Sequence, residues 1–206
     1  RFRQVILSAM FKENKIAKAL YFIEVDHDVK GMLITHVDDL CWAVKPGFDL
    51  YMDKILKEFV VNADKVLKGN FRFCGKEIQQ LPDFSIRVTC KHATETINPI
   101  RFDLNGRKLS EQATESEIGQ MRSVVGSLGW IARQCRPDLS YHVSKAQGAV
   151  SKATLKDLKD TNQSLGQARD YSEEGILFRS NAISWDTAIV VTVTDASLAN
   201  ETIIET

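Results

Sequence analysis

Alternating apolar and polar positions in the first quarter of the chain predict an antiparallel meander of three strands. β-rich runs extend over residues 19 to 25, 31 to 37 and 40 to 44, with short polar segments between them. The spacing then becomes helical, with apolar residues at Phe48, Met52, Ile55, Leu56 and Phe59. We therefore expect a helix over 48 to 60 that packs against the meander.

Further β-rich runs predict a second hairpin and two closing strands. The runs at 71 to 78 and 84 to 89 are separated by Leu81-Pro82-Asp83, which favours a turn. The runs at 175 to 178 and 188 to 194 predict the closing strands. Because helices and antiparallel strands occupy separate stretches of the chain, the predicted fold class is α+β.

Three helices are predicted between the second hairpin and the closing strands. Thr114 and Glu117 have the spacing of a capping box, and one apolar stripe follows at Ile118, Met121, Val125, Leu128 and Ala132. Arg136-Pro137 should end this helix and open the next one, because the residue before a proline is pushed out of helical geometry. A third helix is expected from Thr154.

Composition and charge describe an ordinary globular protein. The 206 residues are 44% apolar and 26% charged, and basic and acidic residues both number 27. No overall field therefore attracts nucleic acid, and any such contact must come from local patches. The cysteines and histidines show neither zinc-ligand spacing nor a disulfide framework.

The first residues and the apolar runs of the chain bear on membrane insertion, on secretion and on whether it was cut from a longer chain. The longest apolar runs are only a few residues, which predicts no membrane span. The start, Arg1-Phe2-Arg3-Gln4, has neither an initiator methionine nor the pattern of a signal peptide. We therefore expect an intracellular chain that was cut from a longer one.

Asp38 and Asp39 are the first candidates for chemistry. Two adjacent carboxylates between apolar strands repel each other unless a cation or a proton intervenes. Two-metal phosphoryl transfer gives a reason for such a pair, because hard divalent ions need oxygen ligands on a rigid support. A solvated Asp-Asp turn is the alternative, since aspartate is favoured in turns.

Three further blocks accompany His36-Val37-Asp38-Asp39-Leu40. They are Phe71-Arg72-Phe73-Cys74-Gly75-Lys76-Glu77-Ile78; Met121-Arg122-Ser123-Val124-Val125-Gly126-Ser127-Leu128-Gly129-Trp130-Ile131 with Arg136-Pro137-Asp138-Leu139-Ser140; and Thr194-Asp195-Ala196-Ser197. In order and spacing the four blocks resemble the Pol polyprotein of copia-type LTR retrotransposons, from the Tyr-x-Asp-Asp box of reverse transcriptase to the first strand of RNase H. His36 stands where the family has tyrosine, and Cys74 where it has leucine.

The resemblance implies an RNA-directed DNA polymerase that adds dNTPs by two-metal phosphoryl transfer. Asp38 and Asp39 would be catalytic palm carboxylates that bind Mg²⁺ or Mn²⁺, with Asp38 the stronger candidate for direct ligation, and Asp195 would bind metal in RNase H. The residues implied to contact the primer or other nucleic acid are His36, Phe73, Cys74, Gly75, Lys76, Arg122 and Arg136. The implied partners are an RNA template, a DNA primer or RNA–DNA hybrid, dNTP and the rest of the Pol polyprotein, with its integrase.

The resemblance also implies a domain division and a location. Residues 1–96 would be the C-terminal part of the palm with the primer-grip hairpin, 97–172 a helical thumb or connection, and 173–206 a truncated start of RNase H. The implied location is cytoplasmic virus-like particles, with the nucleus as a second site. In the family a third palm aspartate lies well upstream, and residues 1 to 18 contain no aspartate. We therefore expect the isolated chain to be inactive.

Alternatives remain at the level of residues and of the whole chain. His36 can be a strand residue without a role, Gly75 a kink in a buried strand, Gly126 a helix-packing residue and Asp195 an ordinary strand end. Arg133, Arg136, Lys145 and Lys152 can belong to a solvated surface, because acidic residues are interspersed among them. For the whole chain, the alternatives are a decayed or domesticated remnant that at most binds nucleic acid, and an unrelated α+β interaction domain.

Overall fold

The structure, a computed structural model, describes residues 1–61, 63–184 and 187–189. Its first sheet is antiparallel with the order β1-β2-β3-β4, formed by β1 (Lys12–Glu13), β2 (Leu20–Val25), β3 (Asp28–His36) and β4 (Asp39–Val44). The predicted meander is thus confirmed as β2 to β4. β3 starts earlier than predicted because Asp26 and His27, with φ of 51° and 61°, form a two-residue turn. The two-residue β1 is too short to show a pattern.

Two helices cover one face of this sheet. α2 (Asp49–Glu58) confirms the predicted helix, whereas α1 (Phe2–Ser8) was not predicted. The buried side chains between helices and sheet are Ile6, Ala9, Phe11, Tyr21, Ile23, Leu33, Met52 and Ile55. The period of two along β3 places Leu33 in this core and leaves Met32, Ile34 and His36 exposed on the opposite face. We call that opposite face of the first sheet the open face.

The second sheet is also antiparallel, with the order β5-β6-β7-β8. Its strands are β5 (Asn70–Phe73), β6 (Lys76–Gln80), β7 (Ile86–Thr89) and β8 (Gly175–Phe178). The run from 71 to 78, predicted as one strand, is instead a hairpin, because Cys74 and Gly75 turn the chain with φ of 51° and 75°. The predicted turn at 81 to 83 is present and connects β6 to β7.

The helical region has the three predicted helices, α4 (Glu115–Gln134), α5 (Ser140–Ala149) and α6 (Leu155–Asp170), and also the short α3 (Lys91–Glu95), which was not predicted. Thr114 and Glu117 form the predicted capping box, and Thr154 and Asp157 form another at the start of α6. Pro137 opens a 3-10 turn between α4 and α5. The helices share a core with Cys90, Ile97 and Ile100, and its largest buried side chains on α4 and α6 are Met121, Ile131, Leu155, Leu158 and Leu165.

The protein is therefore a mixed structure of helices and two antiparallel sheets, which agrees with the predicted α+β class. The predicted strand at 175 to 178 is present as β8, and it pairs with β7 through Ile86↔Phe178 and Thr89↔Gly175. The second sheet thus takes strands from both sides of the predicted divisions at 96 and 172. The predicted strand at 188 to 194 falls largely outside the described residues.

Among the helices of the described ranges, none combines the length and the apolar character that a membrane crossing requires.

Candidate functional site

Asp38 and Asp39 lie at the exposed tip of the β3–β4 hairpin. Val37 and Asp38 form the two-residue turn, and Asp39 is the first residue of β4, paired with His36. Val37 has a φ of 52° and is 81% exposed. A β-branched residue in this left-handed conformation is strained, and such strain concentrates at functional tips. The predicted meander with a helix packed against it is confirmed, and its β3–β4 turn carries the two aspartates at an exposed tip.

His36 connects this acidic tip to the second sheet. Its side chain lies on the open face, where cross-strand pairing places it beside Asp39. The imidazole meets the ring of Phe73 edge to face, with 6.3 Å between ring centroids and an interplanar angle of 71°. Since Phe73 is the last residue of β5, the contact brings the β5–β6 hairpin next to the acidic one. His36 and Phe73, assigned to one site from the sequence, are therefore close in space.

Cys74 and Gly75 form the tip of the β5–β6 hairpin. A Cβ atom on Gly75 would lie 3.2 Å from Cη2 and 3.4 Å from Cζ2 of Trp130. The indole of Trp130 on α4 therefore packs closely against the turn at Gly75. Sequence reasoning assigned Trp130 no role, and its only signal was an aromatic residue within the quoted helical block.

Lys76 is held by a partner within the chain. Its Nζ donates to Oε1 of Gln134, near the end of α4, at 2.9 Å. Next to it in β6, Oε2 of Glu77 accepts from the Thr89 hydroxyl at 3.3 Å, while Oε1 of Glu77 is buried without a hydrogen-bond partner among the described residues. The tip of this hairpin is therefore held against α4 by a polar contact as well as by Trp130.

Arg136 lies in the interior, at 4% exposure. Its Nε and Nη2 donate to the two Asp138 carboxylate oxygens at 2.9 and 2.8 Å, and its Nη1 donates to the carbonyls of Ala168 and Tyr171 at 3.4 and 2.6 Å. The hydrogen bond with Asp138 raises the pKa of Arg136, and the same bond lowers the pKa of Asp138. This guanidinium joins the end of α4 to the end of α6, so a phosphate would have to compete with internal partners. Arg122, by contrast, is exposed on α4.

A cavity of about 430 Å³ lies beside Trp130. Its lining contains no charged residue and consists of Ala93, Thr96, Ile97, Asn98, Pro99, Gln120, Ser123, Val124, Ser127, Trp130 and Ile131. Small hydroxyl and amide groups next to an indole suit the edges of uncharged polar rings better than they suit a phosphate. Sequence reasoning did not identify this cavity, because its walls come from two separate segments.

The described residues offer few ligands to a divalent cation. Within the described ranges no group of three or more His, Cys, Asp or Glu side chains is placed to hold a metal. Asp38 and Asp39 supply two carboxylates, whereas Mg²⁺ takes six oxygen ligands, several of them waters or substrate oxygens. The described residues alone therefore do not form a complete metal site. Asp195 falls outside the described residues.

The predicted site residues thus divide into two sets. His36, Asp38, Asp39 and the hairpin 73–76 meet across one contact between two hairpin tips, with Trp130 behind them. Arg136 is buried in the interior, whereas Arg122 lies on the surface of α4. Comparison of this chain with protein-family models, with curated proteins and with solved structures finds no match.

Proposed function

We propose that this chain is part of an RNA-directed DNA polymerase of the copia retrotransposon type. In this proposal the β3–β4 hairpin carries two of the palm carboxylates, the β5–β6 hairpin holds the primer, and the helices belong to the thumb or connection. The observation that carries the proposal is the contact between His36 and Phe73. It brings an exposed pair of carboxylates next to the hairpin that the resemblance assigns to the primer.

The edge of the first sheet supports this proposal. Asp39 opens β4, and β4 pairs only with β3 among the described residues. An edge strand presents unpaired backbone groups to which another strand can add. The resemblance implies a third palm aspartate on an upstream strand. A strand added at β4 would bring such a carboxylate beside Asp39.

The open face of the first sheet also fits a larger assembly. Met32 and Ile34 are 47% and 42% exposed there, next to His36. Apolar side chains grouped on one sheet face usually lie against another surface. We propose that in the parent polymerase this face lines the cleft for the template and primer, where bases, sugars and nucleotide can cover it.

Among the described residues, no third His, Cys, Asp or Glu side chain joins Asp38 and Asp39 to hold a metal, and two carboxylates alone are insufficient for two-metal catalysis. The isolated chain is therefore proposed to lack polymerase and RNase H activity. In the parent protein, the proposed reaction is template-directed addition of a dNTP to a primer 3′ end.

The test uses the reading frame extended upstream, so that the protein includes the implied third aspartate. We expect it to incorporate dNTPs on an RNA template with a DNA primer, and we expect Asp38→Asn and Asp39→Asn each to reduce incorporation by at least a hundredfold. Asp53→Asn is the matched control, because Asp53 is an exposed aspartate on α2, on the helical side of the sheet. Incorporation that survives both tip substitutions would refute the proposal.

The same experiment separates the second candidate function, a remnant that only binds nucleic acid. The observation that favours it is the incomplete set of ligands among the described residues. An extended protein that binds the primer–template but incorporates no nucleotide, whether or not Asp38 is intact, would support the remnant.

A further inference from the structure

Cys90 and Cys135 come together where the second sheet meets α4. Cys90 follows β7 directly and precedes α3, and Cys135 follows the last residue of α4. The register Glu77↔Thr89 places Cys90 beside Lys76 on the neighbouring strand. Lys76 in turn reaches Gln134, the residue before Cys135, with its ammonium group. Both cysteines therefore lie near the Lys76–Gln134 hydrogen bond and within one hydrophobic core.

Both thiols are shielded from water. Cys90 and Cys135 are each 1% exposed and belong to one hydrophobic core, with Ile131, Leu139 and Ala168 among its other members. A hydrogen bond between the two thiols is the main cause of both pKa shifts. It raises the pKa of Cys90 and lowers the pKa of Cys135. Cys135 is therefore the better nucleophile of the pair, since the thiolate is the reactive form.

We propose that Cys90 and Cys135 form a modification site, at which a hydroperoxide oxidises the two thiols to an intramolecular disulfide. The Cys135 sulfur attacks one peroxide oxygen and the O–O bond breaks. Cys135 becomes a sulfenic acid, and the released hydroxide leaves with the Cys135 proton as water. The Cys90 sulfur then displaces the sulfenic hydroxide, which leaves with the Cys90 proton as a second molecule of water (for hydrogen peroxide). The peroxide gains the two electrons that the two sulfurs lose.

The bond would fasten the β7–α3 junction to the end of α4. Between the two cysteines lie α3, the wall of the cavity beside Trp130, and the whole of α4. Closing this segment restricts the unfolded chain and so stabilises the fold. The oxidised protein would therefore hold α4, and with it Trp130 against Gly75, more rigidly than the reduced protein.

The test oxidises the whole folded chain with hydrogen peroxide, alkylates the remaining thiols in denaturant and identifies linked peptides by mass spectrometry. We expect a peptide pair joined through Cys90 and Cys135, with a loss of two mass units. We also expect the unfolding temperature to rise by roughly 5 to 15 °C, reversibly with dithiothreitol.

Cys41 and Cys74 supply the matched control. Both are only partly buried, on the open face and at the tip of the second hairpin. The double variant Cys41→Ser, Cys74→Ser should retain the peroxide-dependent link and the rise in unfolding temperature, whereas Cys135→Ser should lose both. The proposal is overturned if Cys90 and Cys135 remain fully alkylatable after peroxide treatment, or if they become linked only when the chain is oxidised in denaturant. The mapping of linked peptides uses the unaltered chain, so its result stands even if a variant fails to fold.

Discussion

The imidazole of His36 packs edge to face on the ring of Phe73, and this contact joins the acidic hairpin of the first sheet to the turn of the second. Such pairs contribute beyond the area that they bury, because the ring edge is electropositive and the ring face electronegative. Under the proposed function, His36 would occupy a position at which the copia-type family has tyrosine, which is also an aromatic ring. A tyrosine at this position could make the same ring contact with Phe73.

A double-mutant cycle measures this contact. We expect His36→Ala and Phe73→Ala to couple by about 0.5 to 1 kcal/mol in urea unfolding, because each removes the same ring pair. His36→Tyr should keep most of the coupling, since it keeps a ring. Strictly additive effects of the two alanine substitutions would show that the rings do not stabilise each other.

Gly75→Ala tests how closely α4 approaches the second hairpin. Gly75 has a φ of 75°, and the Cβ of an alanine at this position would lie 3.2 Å from the Trp130 ring. We expect a loss of about 2 kcal/mol, in which left-handed backbone strain and displacement of the indole both contribute.

Gly69→Ala separates the two causes. Gly69 has a similar φ of 77° with nothing near its Cβ position. It should therefore lose only about 1 kcal/mol, from the backbone alone. Equal losses at the two glycines, measured by thermal or urea unfolding, would mean that Trp130 does not press on the turn.

Glu117 makes the stability of the helical region depend on pH. Its carboxylate accepts from both terminal nitrogens of Arg107, at 2.9 and 3.1 Å, and from the Thr114 backbone N–H at 2.7 Å. These bonds, chiefly the one with Arg107, lower the pKa of Glu117 from 4.5 to about 2. Because the folded-state pKa is depressed, the stabilisation is fully present above the unfolded value near 4.5 and is lost as the pH falls towards 2.

The loss over that interval should be about 3 kcal/mol, and Glu117→Gln should remove most of this pH dependence. Glu115→Gln is the control, since Glu115 lies in the same first turn of α4 but is exposed. Unfolding free energies measured between pH 2 and pH 6 provide the comparison. A Glu117→Gln curve parallel to that of the unaltered protein would contradict the prediction.

Arg136 should matter more for folding than for contact with a phosphate. Arg136→Ala removes the guanidinium donor from the Ala168 carbonyl and the Asp138 carboxylate, and it leaves the Tyr171 carbonyl with only the Glu174 N–H, at a cost of about 3 kcal/mol. Arg122→Ala, at an exposed position of α4, should change stability by no more than about 0.5 kcal/mol. Both variants are compared by thermal unfolding and by binding to an RNA–DNA hybrid. An Arg136→Ala protein with unchanged stability and weakened binding would assign this residue to the nucleic acid instead.

Local interactions explain which elements were predictable. The capping box of Thr114 and Glu117 needs only residues three apart, and the meander around Asp38 and Asp39 needs only alternation and short connections. The second hairpin shows the limit of this approach. Its tip at Cys74 and Gly75 lies inside a β-rich run without a common turn pair, so the pattern indicated one strand where the chain folds into two.

The sequence by itself determined the acidic tip, its helix-backed sheet, the three long helices and the resemblance on which the proposed function rests. Only the tertiary structure decided that His36 meets Phe73, that Trp130 covers Gly75, that Arg136 points inward and that Cys90 lies beside Cys135. It also decided that β8 pairs with β7, although α3 to α6 lie between these strands in the sequence. These contacts join residues tens of positions apart, and periodicity reports only which face of an element is apolar, not which distant element will cover it.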